Sequence, residues 1–262
     1  MGTLFPDAFP TPHPGQPAGV GTFVPGHPYV SVSGPFNNHA TLANDLVSYW
    51  ALDEESGTRY DSVGSNDLTD NNTVGFEAVA GPPNFPNGTA ASFVAANSEY
   101  LSIASQVIPS NSDFTLVHWE KTQAGETQGM LSWKTSTGTG SQPGIFLEPA
   151  NGSNHRQYTR RGNGVGIEVG DNRGNWVLVI YEYVHSTTTH RLMVMGAAAN
   201  DATFTAADVA AVANNSGLYV GGPDATFYNN GLISNMALWS RVLTAQERTD
   251  LYAAGAGLFY ED

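Results

Sequence analysis

The chain has no cysteine among its 262 residues. This absence excludes disulfide bonds, thiolate metal sites and cysteine nucleophiles. A domain of this length does not need such cross-links, because it buries roughly 75% of its unfolded surface on folding. The sequence also lacks the run of about 18 apolar residues that a transmembrane helix requires.

Basic residues are scarce. Ten Lys and Arg stand against 24 Asp and Glu, which gives a formal net charge of −14, and the lysines are limited to Lys121 and Lys134. Proteins that bind nucleic acid neutralise phosphates with basic side chains, and anionic membrane surfaces attract basic segments. We therefore expect neither nucleic acid nor a membrane as a partner.

Residues 1–40 differ from the rest of the chain in composition. They contain eight of the 15 prolines, and Asp7 is their one formally charged side chain. Such a proline density excludes helix and central strand, and it favours an extended polyproline II conformation. Nor does the segment have the basic and apolar regions of a signal peptide.

Apolar side chains are nevertheless spaced along this segment, whereas a disordered tail lacks them. We therefore predict an extended anchoring arm over residues 1–40, followed by a domain over residues 41–262. The arm is expected to contact another protein subunit, either a capsid or a sister chain, through its aromatic residues Phe5, Phe9, Phe23, Tyr29 and Phe36.

The rest of the chain has the pattern of a β protein. Short segments rich in β-branched and aromatic residues are bounded by Gly, Asn, Ser or Asp. Besides an opening strand from Leu46, the predicted strands are 90–94, 114–121, 129–133, 144–148, 164–169, 176–184, 191–196, 217–221 and 232–239. Two helices are predicted at 205–214 and 244–254, the second beginning with the capping box Thr244-x-x-Glu247.

Several of these segments resemble strands of laminin-G-like domains in the concanavalin A-like lectin superfamily. They are LVSYWALDEE, FTLVHWEK, WVLVIYEY, RLMVMG and ALWSRVLTAQE, in the family's order. The resemblance covers about residues 42–257. It implies an all-β fold, a two-sheet antiparallel jelly-roll sandwich with a short C-terminal helix. A cysteine-free member suggests a microbial or viral source.

Family members often bind calcium, which needs several oxygen ligands, some of them charged. At positions where the family often has a carboxylate, this chain has Val94-Ala95, Met195 and Ser234-Asn235. The remaining candidate ligands are Asp61, Asn66, Asp67 and Asp70. The alternative is a solvated loop of Asx turns. No other cofactor is implied.

One face of two adjacent strands is more apolar than the family pattern. Period-2 alternation places four residues on a face that is usually hydrated, namely Leu178, Ile180, Met193 and Met195. An apolar patch of this kind is usually covered. The cover is either the chain's own helix or a long loop, or else the arm or another subunit.

The residue pattern of the sandwich glucanases is missing. Those enzymes place two carboxylates two to four positions apart on one strand, as E-x-D-x-x-E, and no predicted strand has this pattern. His118 and Glu120 share a strand face, and a buried hydrogen-bonding pair is favoured there over an acid–base couple. We therefore expect no enzymatic activity.

A glycan site would need exposed aromatic rings and polar side chains. The candidate residues are Trp133, Tyr158, Arg160, Arg161 and Tyr228, of which three belong to the basic segment 155–164. The alternative for that segment is a solvated hairpin whose basic residues offset nearby acidic ones.

Two function classes follow. The first is a non-enzymatic attachment protein, such as a phage capsid decoration or other virion surface protein, anchored through its arm and homo-oligomeric. The second is a carbohydrate-binding, lectin-like module that is secreted or on a virion surface. The fold alone does not decide between them.

Overall fold

We describe a computed structural model of the chain. The described residues are 39, 41–78, 89–108, 111–122, 133–134, 145–149, 155–159, 165–169, 174–195, 201–205, 217–222, 228–253 and 257–258. For 122, 133–134, 145–149, 155–159, 165–169 and 201–205 only the backbone is described. The predicted arm, apart from His39, and positions 206–214 of the predicted first helix lie outside these residues.

The first sheet contains eight antiparallel strands. They are β1 (Leu46–Trp50), β3 (Gly75–Glu77), β4 (Ala90–Phe93), β6 (Phe114–Thr122), β11 (Val177–Val184), β12 (Thr189–Met195), β13 (Asp201–Thr205) and β15 (Gly231–Trp239). Their order is β13-β12-β11-β6-β15-β4-β3, and β1 also pairs with β15. A bulge in β15 between Ser234 and Ala237 separates the half that pairs with β4 from the half that pairs with β1.

The second sheet contains seven antiparallel strands. They are β2 (Thr69–Asn71), β5 (Tyr100–Ile103), β7 (Trp133–Lys134), β8 (Ile145–Pro149), β9 (His155–Thr159), β10 (Val165–Val169) and β14 (Leu218–Val220). Their order is β10-β9-β8-β7-β14-β5-β2. β9 and β10 pair antiparallel, as the hairpin alternative for segment 155–164 predicts. Two antiparallel sheets confirm the predicted sandwich.

The core between the sheets follows from alternation along the strands. In β11 the odd-numbered residues Val177, Val179, Tyr181 and Tyr183 join the inter-sheet cluster. In β6 Phe114 and Leu116 do the same. Successive side chains of a strand point to opposite faces, so the even-numbered residues of β11 lie on the outer side of the first sheet.

That outer side is covered by the chain's own C-terminal segment. A helix, α1 (Ala245–Tyr252), begins with a complete capping box, in which the Thr244 side chain accepts from Glu247 N and the Glu247 side chain accepts from Thr244 N. Its residue Leu251 packs in a second cluster with Trp119 and Trp239. The predicted C-terminal helix is therefore confirmed, and it closes one face of the sandwich.

The apolar patch predicted as a partner surface belongs to this second cluster. Leu178, Ile180 and Met193 are 1%, 0% and 6% exposed, and Met195 packs against the same cluster. These side chains are not available to a partner, because helix α1 and its flanking residues occupy the face. The alternative of a cover by the chain's own helix is the correct one.

The N-terminal border of the domain is fixed to the same layer. Trp239 Nε1 donates to the Leu42 carbonyl at 2.7 Å, and His39 Nε2 lies 3.0 Å from an Asp250 carboxylate oxygen on α1. Arg241 donates to the carbonyls of Thr41 and Asn44. Among the described residues, no helix has the length and apolarity needed to cross a membrane.

Candidate functional site

Three tyrosines form a continuous aromatic surface at one end of the second sheet. The ring of Tyr100 lies 6.4 Å from the ring of Tyr219 and 6.4 Å from the ring of Tyr228, measured between centroids. The two interplanar angles are 42° and 43°. All three side chains are half-buried, so part of each remains accessible to solvent. We call these residues the tyrosine surface.

Strand alternation places this surface on the outer side of the sheet. Leu101 in β5 and Leu218 and Val220 in β14 face the inter-sheet core. Their neighbours Tyr100 and Tyr219 therefore face outward. Burial raises the pKa of Tyr219, and the adjacent Tyr100 adds to this effect. The Tyr219 hydroxyl consequently stays protonated and can both donate and accept hydrogen bonds.

The position of Tyr228 depends on a glycine. A Cβ atom built on Gly222 would lie 2.6 Å from Tyr228 Cδ1 and 3.4 Å from Tyr100 Cβ. Any other residue at this position would therefore displace the ring. The backbone is fixed nearby, since Asn229 N donates to the Gly221 carbonyl at 2.8 Å.

Polar side chains lie on the outer face beside the rings. Asn71 Nδ2 donates to Ser102 Oγ at 3.0 Å and to the Thr69 carbonyl at 3.0 Å. Asn71 pairs with Tyr100 across β2 and β5, and Ser102 pairs with Tyr219 across β5 and β14. The Ser102 hydroxyl is able to donate, and the side-chain oxygen of Asn71 is able to accept, a hydrogen bond.

Of the predicted glycan residues, the structure brings Tyr228 into this surface. Trp133 of β7 pairs with Val220 of β14, and Tyr158 of β9 pairs with Gly166 of β10. Only the backbone of Trp133 and Tyr158 is described. Arg160 and Arg161 lie outside the described residues entirely. Sequence reasoning missed Tyr100 and Tyr219. The pattern that could have identified them is the alternation of tyrosine with apolar core residues in two short segments, YLSI and LYV.

The four residues predicted to bind calcium do not converge. The two oxygens of Asp61 accept from Tyr49 N at 3.0 Å, Val63 N at 3.1 Å and Asn66 N at 3.1 Å. Burial alone would raise the pKa of Asp61, but hydrogen bonds from the Tyr49 and Gly64 amides, the Ser48 hydroxyl and the Val63 amide together outweigh it and lower the pKa.

The carboxylates of Asp67 and Asp70 also accept hydrogen bonds from backbone amides. Asp67 Oδ1 accepts from Asp61 N at 2.9 Å, and Asp70 accepts from Val74 N at 2.8 Å and Gly57 N at 3.3 Å. Within the described part of the chain, no group of three or more His, Cys, Asp or Glu side chains could hold a metal ion. These hydrogen bonds are those of the alternative, a loop of Asx turns, and calcium binding stays a prediction.

His118 and Glu120 form the buried pair that their spacing predicted. His118 Nε2 lies 2.9 Å from Glu120 Oε2, and both side chains are buried within the sandwich. Glu182, another buried carboxylate, lies on the opposite face of the same sheet and accepts from Arg248 of α1 at 2.8 Å. The described geometry therefore separates these acids and keeps them from solvent.

Comparison with known families agrees with this architecture. The Laminin_G_3 model, described as the concanavalin A-like lectin/glucanases superfamily, matches residues 95–247. The chain belongs to this superfamily. No curated protein matches the chain.

Solved structures of the superfamily fold are similar to the chain. Domain 4 of AbnA, a GH43 extracellular arabinanase from Geobacillus stearothermophilus, in complex with arabinotriose, aligns with a TM-score of 0.58 and 15% identity over 79% of this chain and 97% of that one. Trypanosoma rangeli sialidase aligns with a TM-score of 0.53 and 14% identity over 81% of this chain, which spans 33% of the sialidase.

A third similar structure is the binding domain of botulinum neurotoxin DC in complex with rat synaptotagmin II. It aligns with a TM-score of 0.59 and 9% identity over 80% of this chain and 51% of that chain. At these identities the likenesses concern the fold alone.

Proposed function

We propose that this sandwich is a carbohydrate-binding module, and that the tyrosine surface holds sugar rings. The observation that carries the proposal is the contact of Tyr100 with both Tyr219 and Tyr228 on a solvent-facing side of the second sheet. Tyrosine offers a large, rigid contact area with a polar tip, and it loses little conformational entropy on binding. Both properties suit ligands that have apolar ring faces and hydroxyl edges.

The arrangement of polar groups supports the same ligand class. The Asn71 amide and the Ser102 hydroxyl are linked at 3.0 Å next to the rings, so they are already oriented before a ligand arrives. A few well-placed polar groups beside apolar area is the usual composition of a small-molecule site. The arabinanase domain with arabinotriose, which shares this fold over 97% of its length, adds support by analogy.

We propose that the module has no catalytic activity of its own and works outside the cell. The buried positions of Glu120 and Glu182 support this, because a substrate could not reach either carboxylate without opening the sandwich. Attachment to a capsid or to sister chains through residues 1–40 stays a prediction. The apolar patch no longer argues for this attachment, because α1 covers it.

The test is binding of soluble oligosaccharides to the full chain, measured by isothermal titration calorimetry after a glycan array. Tyr219→Ala and Tyr100→Ala should each lower the affinity for the tightest-binding ligand at least tenfold, which is about 1.4 kcal/mol. Gln246→Ala, an exposed change on the opposite side of the molecule, is the control and should bind as the wild type does. Unchanged affinity in both tyrosine variants would remove the proposed site.

A further inference from the structure

Tyr60 is the most exposed large apolar side chain in the described part of the molecule. Its side chain is 61% exposed, against 42% for Val94 and 37% for Val63. A single exposed aromatic residue needs no explanation by itself. The backbone that carries this one, however, is held more firmly than an ordinary surface loop.

Hydrogen bonds fix both neighbours of Tyr60. Arg59 and Leu68 exchange two backbone hydrogen bonds, of 2.9 and 2.8 Å. Tyr60 N donates to Glu54 Oε1 at 2.6 Å, and Asp61 N donates to Asp67 Oδ1 at 2.9 Å. The ring is therefore presented to solvent from a rigid support, which lowers the entropy cost of binding.

Buried Arg59 anchors this support. Its side chain is 0% exposed, and it donates to the carbonyls of Gly57 at 2.6 Å and Val74 at 3.0 Å. Since Arg59 and its bridge partner Leu68 face inward, the next residue, Tyr60, faces the outer side of the second sheet. This is the side that carries the tyrosine surface.

The strand order sets the distance between the two aromatic positions. β14, which carries Tyr219, is followed by β5 and β2, and the Arg59 bridge extends the sheet by one more position next to Leu68. Three strand spacings amount to about 14 Å. A ligand that contacts both Tyr219 and Tyr60 must therefore be longer than a single sugar ring.

The charges on this side favour a neutral ligand. The polar outward side chains of β2 and β5, namely Thr69, Asn71 and Ser102, are uncharged. Asp67, which is exposed opposite Tyr60, is acidic. Asp53, Glu54 and Glu55 precede Tyr60 in the same loop and would repel an anion. Arg59 lies 3.8 Å from Glu54 and offsets part of that charge, but its guanidinium is buried, donates to carbonyls and does not face a ligand.

We infer that the outer face of the second sheet binds an extended, neutral oligosaccharide that lies across β14, β5 and β2, with Tyr60 as its distal contact. The inference rests on the proposed function and adds the ligand's length and charge class. The interior of a polysaccharide chain, rather than a terminal sugar, is then the recognised unit.

Calorimetry with neutral arabinan, xylan and glucan oligosaccharides of one to six residues tests the inference. Wild-type affinity should rise with length up to the span of the face. Tyr60→Ala should weaken the longest bound oligomer about tenfold and leave the shortest bound one unchanged. Tyr60→Phe should retain the long-chain affinity, and Val63→Ala, in the same loop, should bind as the wild type does.

Three results would overturn the inference. The first is affinity that does not depend on length, and the second is a Tyr60→Ala variant that binds long oligomers normally. The third is tighter binding of acidic oligogalacturonides, reduced by Lys134→Ala, since Lys134 pairs with Tyr219 in the sheet. If the wild type binds none of these sugars, the proposed function fails and the inference fails with it.

Discussion

The indole ring of Trp119 stacks on the ring of Tyr252, with 6.1 Å between centroids and 16° between planes. Trp119 lies in β6 and Tyr252 ends helix α1, so this contact joins the central strand of the first sheet to the C-terminal segment. It makes the outer side of the first sheet a second core. The outer side of the second sheet is left as the candidate ligand surface.

Removing the helix contact should destabilise the whole domain. Leu251→Ala, at a side chain that is buried against the outer cluster, should lower the free energy of unfolding by about 2–5 kcal/mol because it leaves a cavity. Urea denaturation measures this. Gln246→Ala, on the exposed side of the same helix, should change the value by less than about 0.5 kcal/mol. Equal effects of the two variants would contradict the packing described for α1.

Acid should weaken the Arg241–Glu247 pair. The Arg241 hydrogen bond and the cap bonds outweigh burial and lower the pKa of Glu247 from 4.5 to about 2. The resulting stabilisation, about 3 kcal/mol, is present above pH 4.5 and is lost as the pH falls toward 2. Glu247→Gln should be less stable at neutral pH and should lack this part of the pH dependence. Urea midpoints at each pH provide the measurement.

His190 should produce a separate loss of stability at higher pH. Burial lowers the pKa of His190 from 6.5 to about 4, and the Tyr181 hydroxyl lies 2.7 Å from its Nδ1. Between these values the unfolded chain binds a proton that the folded chain does not. Stability should therefore fall by up to about 3 kcal/mol as the pH drops from 6.5 to 4. In His190→Gln the free energy of unfolding should no longer fall between pH 6.5 and 4, while the loss due to Glu247 at lower pH should persist. An unchanged pH dependence of stability in this variant would contradict the assignment to His190.

Calcium should have little effect on stability. The Asp61 carboxylate is used by backbone amides of the loop, so EDTA and millimolar calcium should give the same melting temperature. Asp61→Ala should lose about 1–3 kcal/mol in either condition, because buried amides lose their acceptor. A clear rise in melting temperature with calcium, abolished by Asp61→Ala, would restore the metal site.

Gly222 should be required for the tyrosine surface. Gly222→Ala places a methyl group against Tyr228, so the Tyr100–Tyr228 contact should be lost, with a change in near-UV circular dichroism and weaker sugar binding. The matched control is Gly57→Ala. Gly57 also has a positive φ, of 78°, but a Cβ there would meet no atom within 4 Å. Gly57→Ala should lose about 1–2 kcal/mol of stability but keep the wild-type near-UV circular dichroism and sugar affinity.

Much of the fold was predictable because local patterns carry it. The alternation in 177–184 separates Val179 and Tyr181 from Leu178 and Ile180, and the structure places them on opposite faces as predicted. The capping box at Thr244 likewise located the start of α1. Strands β2, β3, β5 and β13 were not predicted. The first three have three or four residues, which give too few repeats to show a period. Thr205, predicted to begin the first helix, is instead the last residue of β13.

The candidate site was less predictable. Tyr228 was selected from its residue type, but Tyr100, more than 100 residues earlier in the chain, reaches Tyr219 and Tyr228 only through the pairing of β5 with β14. The residues predicted to bind calcium show the same dependence on the backbone. Sequence proximity gathered Asp61, Asp67 and Asp70, whereas the backbone turned their oxygens toward different amides.

The sequence alone determined that this chain is a cysteine-free, acidic β-sandwich with a capped C-terminal helix, since composition and short-range periodicity reflect local backbone preferences. The tertiary structure decided which outer face is covered and which residues meet on the other. Those outcomes depend on contacts between distant segments, and no local pattern specifies which segments will pack together.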